Sequence, residues 1–242
     1  AWDYVCCEVG NCTRNKCHYN RKCFYWNARR KWDRADIIVA NHALFFTDLK
    51  IRQIEDLEST LLPEYSAVIL DESHKLEDSA AQHLGLAVSS YGVRFFLRKL
   101  FDPEKGKGIL LVGGPQSMEL RRLVAETMEA SEIFFDKARE VIAASEESIL
   151  RVLNPDIVLD CASPLLARLE HGLTEFVKTV EDDDFKQELT AQIAVCGHYR
   201  QCIHEFITMG LQDHVYWMER KGEASSGVTL SAAPLNVAEV LR

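Results

Sequence analysis

Residues 65–74 read YSAVILDESH, and the run Ala67-Val68-Ile69-Leu70 at their centre constrains the fold more than any other stretch of the 242 residues. Four consecutive apolar residues between a turn-prone proline, Pro63, and an acidic pair suit a strand buried on both faces of a parallel sheet. Such a strand carries Asp71 and Glu72 to its carboxyl end, the edge of an open α/β sheet where ligands sit. An acidic pair there can do two jobs in nucleotide hydrolysis. One carboxylate holds the Mg2+ that bridges the β and γ phosphates, and its neighbour orients or deprotonates the attacking water. A strand ending in a solvated acidic turn has the same local sequence, so the reading depends on what precedes it.

What precedes it is a second run of the same kind. Ile37-Ile38-Val39-Ala40 reads as another buried strand, with Asn41 and His42 at its exit. Polar residues in that place often cap the following helix, and in a nucleic-acid motor they also stand where the backbone of the strand passes. An amphipathic helix is expected over about residues 44–58, and Leu61-Leu62-Pro63 turns the chain into the acidic strand. Two strands joined by a helix make a right-handed βαβ unit the default expectation.

Before these strands lies a small basic, cysteine-rich module. Residues 1–34 carry eight Lys or Arg against three acidic residues, a balance of +5 that leaves −14 on the rest of a chain whose total is −9. Five of the eight cysteines, Cys6, Cys7, Cys12, Cys17 and Cys23, fall in the first 23 residues. No basic-then-apolar leader opens the sequence and no run of about 18 apolar residues occurs, so neither secretion nor a membrane span is expected and the cytoplasm is. In that setting clustered cysteines read as metal ligands rather than disulfides. Thiolates suit zinc or iron-sulfur clusters, and Cys12-x4-Cys17-x5-Cys23 lacks the C-x2-C knuckle of common zinc sites and suits the periphery of a larger inorganic core. Interleaved aromatic and basic residues, His18, Tyr19, Arg21, Tyr25 and Trp26 with Arg29 and Arg30 beyond, offer stacking surfaces and phosphate partners to a single strand of nucleic acid. A small cap packed over the metal would use the same residues. A helix is expected over residues 22–34.

Beyond residue 80 the period becomes helical. One long helix is expected over about residues 117–153, with Leu120, Leu123, Val124, Met128, Phe134, Phe135, Ala138, Val141, Ile142 and Ile149 near one face, stopping at Asn154-Pro155. A second starts at Ser163-Pro164, an N-cap followed by proline, and runs to about Val180. A third begins at Glu181-Asp182-Asp183-Asp184 and ends near Gly210. Strand signals then return at residues 214–219 and 228–230, with a β-hairpin expected around Gly222 and Gly227.

The three-cysteine spacing, the strand ending in Asn41-His42 and the box Asp71-Glu72-Ser73-His74 some thirty residues later occur in one order. In that order they closely resemble the iron-sulfur helicases of the DinG and XPD type, within helicase superfamily 2. The resemblance implies an α/β fold: a partial RecA-like parallel sheet with a large all-helical arch insertion and a small cysteine-rich module. The segments follow as a partial iron-sulfur module over residues 1–34, the first part of motor domain 1 over 35–80, the arch over 81–210, and a return to motor domain 1 over 211–242. It further implies an ATP-dependent helicase moving 5′ to 3′ on single-stranded or forked DNA, of the kind used in DNA repair. Glu72 would be the catalytic base, Asp71 the Mg2+ ligand and His74 the coupler of hydrolysis to strand movement. Asn41 and His42 would lie near DNA, and Cys12, Cys17 and Cys23 would ligate a 4Fe-4S cluster.

Two departures limit what this polypeptide is expected to do alone. No G-x-x-x-x-G-K-[ST] phosphate cradle occurs: Gly106-Lys107-Gly108 lacks the hydroxyl residue and Gly113-Gly114-Pro115 lacks the lysine. On the resemblance, that cradle, the cluster's first cysteine and the second motor domain lie outside the 242 residues, so the chain is expected not to hydrolyse ATP by itself and its exposed sheet edge to favour non-native self-association. Ser73 also stands where the family usually has Ala. The competing reading is a zinc-stabilised nucleic-acid-binding module without enzymatic activity, held by Cys7, Cys12, Cys17 and Cys23, or by His18 in place of one of them.

Overall fold

The computed structural model describes residues 12, 17–52, 60–145, 147–221 and 227–236. The chain divides into two compact units, residues 1–85 with 233–242, and residues 86–232.

Among its described residues the first unit holds three α-helices: α1 (Phe24–Trp32), α2 (His42–Arg52) and α3 (Leu76–Leu84). α1 falls within the helix expected over 22–34. α2 starts where the strand-exit asparagine puts it: Asn41 Oδ1 accepts the Leu44 amide at 2.9 Å, supplying one of the bonds that a first helical turn lacks. Residues 53–58 of the helix expected there lie outside the described residues, as do Cys6 and Cys7. α2 packs on α3, and Phe46 is fully buried.

The expected parallel sheet is not formed among the described residues. Residues 37–40 and 67–70 adopt no regular secondary structure and join no ladder. Val39 is 95% and Ile69 96% exposed, so neither run has the covered faces that a parallel strand requires. Two short runs bare on both sides bury too little apolar surface to sustain pairing on their own.

The second unit is mixed α/β. It contains β1 (Leu86–Ser89), α4 (Ser90–Leu100), α5 (Met118–Ala144), β2 (Ile149–Val152), α6 (Ser163–Val177), α7 (Asp183–Thr208), β3 (His214–Lys221) and β4 (Gly227–Pro234). The strands form one sheet in the order β1-β4-β3-β2, with antiparallel ladders pairing Leu86 with Ala232 and Val152 with Tyr216. The unit is therefore not all-helical, as residues 81–210 were expected to be. The chain enters and leaves it on adjacent strands, β1 and β4, and β3 and β4 belong to the same unit as the helices.

The long helix expected to reach residue 153 ends at Ala144. Ser145 Oγ turns back onto the Ile142 carbonyl at 2.7 Å, and Ile149, half exposed, goes into β2 opposite Glu219. The rest of the predicted stripe is sound: Leu120, Val124, Phe134, Phe135, Ala138 and Ile142 are buried. α6 begins at Ser163 with Pro164 in its first turn; its N-cap is Ala162, and just upstream Asp160 Oδ1 accepts the Ser163 amide at 2.9 Å and the Ala162 amide at 3.2 Å. α7 is capped by Asp182, which accepts the Phe185 amide at 2.6 Å, and it closes on Met209 in a left-handed conformation. α6 packs on α7 and α5, and α4 on α5. The sheet's inner residues Val88, Tyr216, Met218 and Leu230 are buried with these helices in one core.

Candidate functional site

The N-terminus of α2 is where the predicted motor residues meet. His42 Nε2 lies 3.0 Å from the main-chain oxygen of Asp71; a carbonyl only accepts, so Nε2 carries the proton and the neutral ring is the Nε2–H tautomer. Asn41 is committed to capping α2. The structure therefore brings Asn41, His42 and Asp71 to one place, 29 positions apart in sequence for the last two.

Beyond Asp71 the backbone turns sharply. Glu72 sits at φ 53°, ψ 46°, the left-handed region that a residue with a β-carbon adopts at a cost of about 1–2 kcal/mol. Asp71 Oδ1 accepts the Glu72 amide at 2.8 Å, and the Glu72 carbonyl accepts the Lys75 amide at 2.8 Å, opening a short 3-10 turn, Ser73–Lys75, that leads into α3. The Glu72 carboxylate lies 3.3 Å from His74 Nε2 and 3.6 Å from Lys75 Nζ. All these side chains are exposed, and such pairs contribute at most about 1 kcal/mol, so backbone conformation rather than pairing aims them. Asp71, Glu72 and His74 thus sit together on one exposed turn rather than at the tip of a buried strand.

A Mg2+ ion takes one or two protein carboxylates and fills its octahedron with phosphate and water. Asp71 with Glu72 beside it fits that partial shell. Bound there, the ion would polarise a phosphoryl oxygen. The cysteines are arranged differently. Cys12, Cys17 and Cys23 are half-buried, and no three His, Cys, Asp or Glu side chains among the described residues come close enough to share an ion. Cys12 Sγ accepts the Trp26 indole N–H at 3.2 Å. As they stand these residues do not fit a cubane cluster, which takes four thiolates.

Of the expected nucleic-acid contacts, Tyr19 is 74% exposed and Arg21 exposed, both turned to solvent. Arg29 and Arg30 are engaged within the chain. Arg29 bonds the Thr60 carbonyl at 3.3 Å and lies over the Trp32 ring, and Arg30 bonds the Asn20 side chain and main chain and Asn27 Oδ1 at 2.5 Å. Arg30 braces the module against itself, and Arg29 braces it against the segment that leads to the acidic turn.

Sequence reasoning missed Asp48. It is fully buried on α2 and accepts the Leu61 and Leu62 amides at 2.7 and 2.8 Å and Arg52 Nε at 2.6 Å. Arg52 in turn reaches the Leu62 and Pro63 carbonyls and Glu64, and lies over the Tyr65 ring at 5.0 Å. Its hydrogen bond to Asp48 raises the guanidinium pKa, and burial raises that of the Tyr65 phenol. The signal available was an Asp-x3-Arg pair in a helix, with the aspartate one turn from the apolar stripe.

Residues 11–92, which span this site, match the DEAD_2 family model. Over 90 residues, 37% of this chain and 14% of the relative, the sequence is 38% identical to the ATP-dependent DNA helicase YoaA of Escherichia coli (strain K12). It is 35% identical over 92 residues to the YoaA helicase of Haemophilus influenzae, covering 38% of this chain and 13% of the relative. It is 32% identical over 88 residues to the ATP-dependent DNA helicase DinG of Salmonella choleraesuis, covering 36% and 11%. The matched part spans 11–14% of the length of these relatives. The resemblance read from the motifs holds over this region. No described helix is long and apolar enough to cross a membrane.

Proposed function

We propose that this chain is a middle portion of an ATP-dependent DNA helicase of the DinG type, acting 5′ to 3′ on single-stranded or forked DNA in the cytoplasm. Residues 1–34 belong to its iron-sulfur module, the rest of the first unit to motor domain 1, and the second unit, residues 86–232, to the arch. The observation that carries the reading is the hydrogen bond from His42 to the Asp71 carbonyl, because it joins the strand-exit pair and the acidic box at one helix N-terminus.

In this reading Asp71 holds Mg2+ against the nucleotide. Glu72 orients and deprotonates the attacking water, and its left-handed backbone keeps the carboxylate out of the turn that Asp71 closes. His74, 3.3 Å from that carboxylate, relays the state of Glu72 to the strand, and Asn41 and His42 face the DNA. Tyr19 and Arg21 supply an exposed ring and charge for a single strand. The assignment of Cys12, Cys17 and Cys23 to a 4Fe-4S cluster rests on their spacing alone. The 242-residue chain, with no phosphate cradle in its sequence, turns over no ATP by itself.

The test is Glu72→Gln in the full-length protein: ATP turnover is lost and DNA binding kept. Turnover at the wild-type rate removes Glu72 from the role. Iron and sulfide in anaerobically purified full-length protein support the cluster, whereas a single zinc and no iron support the non-enzymatic binding module.

A further inference from the structure

We propose that α2 is a two-ended strut for the acidic segment, with Asp48 and Arg52 as positioning residues for the carboxylates of Asp71 and Glu72. The inference rests on the helicase reading for its consequence in turnover, but its structural part stands apart from that reading.

The helix runs back along residues 61–71. Its C-terminal half grips the entry of that segment, where the buried Asp48 carboxylate accepts two successive amides, Leu61 and Leu62, and Arg52 Nη2 donates to the next two carbonyls, Leu62 and Pro63. Its N-terminus grips the exit through His42 and the Asp71 carbonyl. Between the two grips, residues 66–70 are exposed and form no ladder, so nothing else within the described residues sets their register. Register matters because a slip of one residue at the entry would shift Asp71 and Glu72 by one position relative to His42 at the exit. A carboxylate that accepts two adjacent amides accepts them in one register only, and a guanidinium spanning two adjacent carbonyls doubles that constraint. Asp48 has no access to solvent or to a nucleotide. Its chemistry is therefore exerted through the segment it holds.

The ionic core of the grip explains why these residue types are needed. An unpaired buried carboxylate is costly, and here it is met by three donors at 2.6–2.8 Å. Lysine at 52 could pair with Asp48 but could not also span the Leu62 and Pro63 carbonyls and Glu64, because an ammonium lacks the planar fork.

Two measurements test this. In the 242-residue chain, amide exchange is read at Leu61 and Leu62: Asp48→Ala lowers their protection by about tenfold or more, and Asp48→Asn, which keeps one acceptor oxygen, lowers it less. Unchanged protection in a folded Asp48→Ala chain overturns the strut, and where that variant does not fold, Asp48→Asn and Arg52→Ala decide it. In the full-length protein, Arg52→Ala lowers kcat for ATP by about tenfold while KM for ATP and DNA affinity move less than about threefold, and Arg52→Lys recovers part of kcat. Lost protection with wild-type kcat overturns the positioning role. So does a fall in kcat matched by an equal loss of DNA and ATP affinity, which is the mark of general unfolding. A wild-type full-length protein that hydrolyses no ATP overturns the functional reading and the positioning role with it, while the exchange data still decide the strut.

Discussion

His42 Nε2 donates a hydrogen bond to the carbonyl oxygen of Asp71 across 3.0 Å, tying the first residue of α2 to the carboxyl end of the acidic segment. A neutral hydrogen bond of this kind contributes about 0.5–1.5 kcal/mol net.

His42→Ala removes this tie without touching a carboxylate. On the proposed function, kcat for ATP in the full-length protein falls by roughly two- to tenfold, the range those energies span, and His42→Gln, which keeps an amide donor, falls less. Steady-state ATP hydrolysis measures both. Wild-type kcat in His42→Ala would show that the tie does not reach the carboxylates.

Glu72 holds a left-handed backbone conformation that suits glycine. Glu72→Gly therefore keeps the stability of the 242-residue chain or raises it by up to about 1 kcal/mol, whereas Glu72→Val, β-branched in the same conformation, lowers it by about 1–2 kcal/mol. Urea unfolding reads both. Either substitution ends ATP turnover in the full-length protein on the role proposed for the carboxylate, so stability and activity change independently at this position.

Burial pushes the Cys196 thiol from its ordinary 9 up to about 12, with the Glu170 carboxylate adding to the shift. The folded chain holds this proton more tightly than the unfolded chain does. The associated stability is complete below pH 9 and is lost as pH rises from 9 toward 12, at about 1 kcal/mol per pH unit. Urea midpoints measured from pH 8 to 11 should fall accordingly. Cys196→Ala, less stable overall through the cavity it leaves, gives a flatter profile over that window.

The sequence alone determined that Asp71, Glu72 and His74 stand together on one turn. Asp71, Glu72 and His74 are adjacent in the chain, so any backbone places them together, and Asn41 caps a helix because its side chain reaches an amide three residues on. The helical stripe of α5 and the strands β3 and β4 were legible for the same reason: periodicity is a local property. Tertiary structure decided the rest. Residues 149–152 read as the last turn of a helix, and only the neighbouring strand β3 makes them a strand. Ser163 reads as a cap, but it is the first residue of the helix, its amide donating to Asp160. The apolar runs at 37–40 and 67–70 have the composition of buried parallel strands but stay bare, since burial is a property of what covers a strand. Cys12, Cys17 and Cys23 have the spacing of a ligand set, yet among the described residues no three His, Cys, Asp or Glu side chains come close enough to share an ion, because spacing along a chain does not set distance across it. Asp48 looked like one more charge on a helix until the fold brought the Leu61 and Leu62 amides to it, a contact made across 13 and 14 positions that no local pattern encodes.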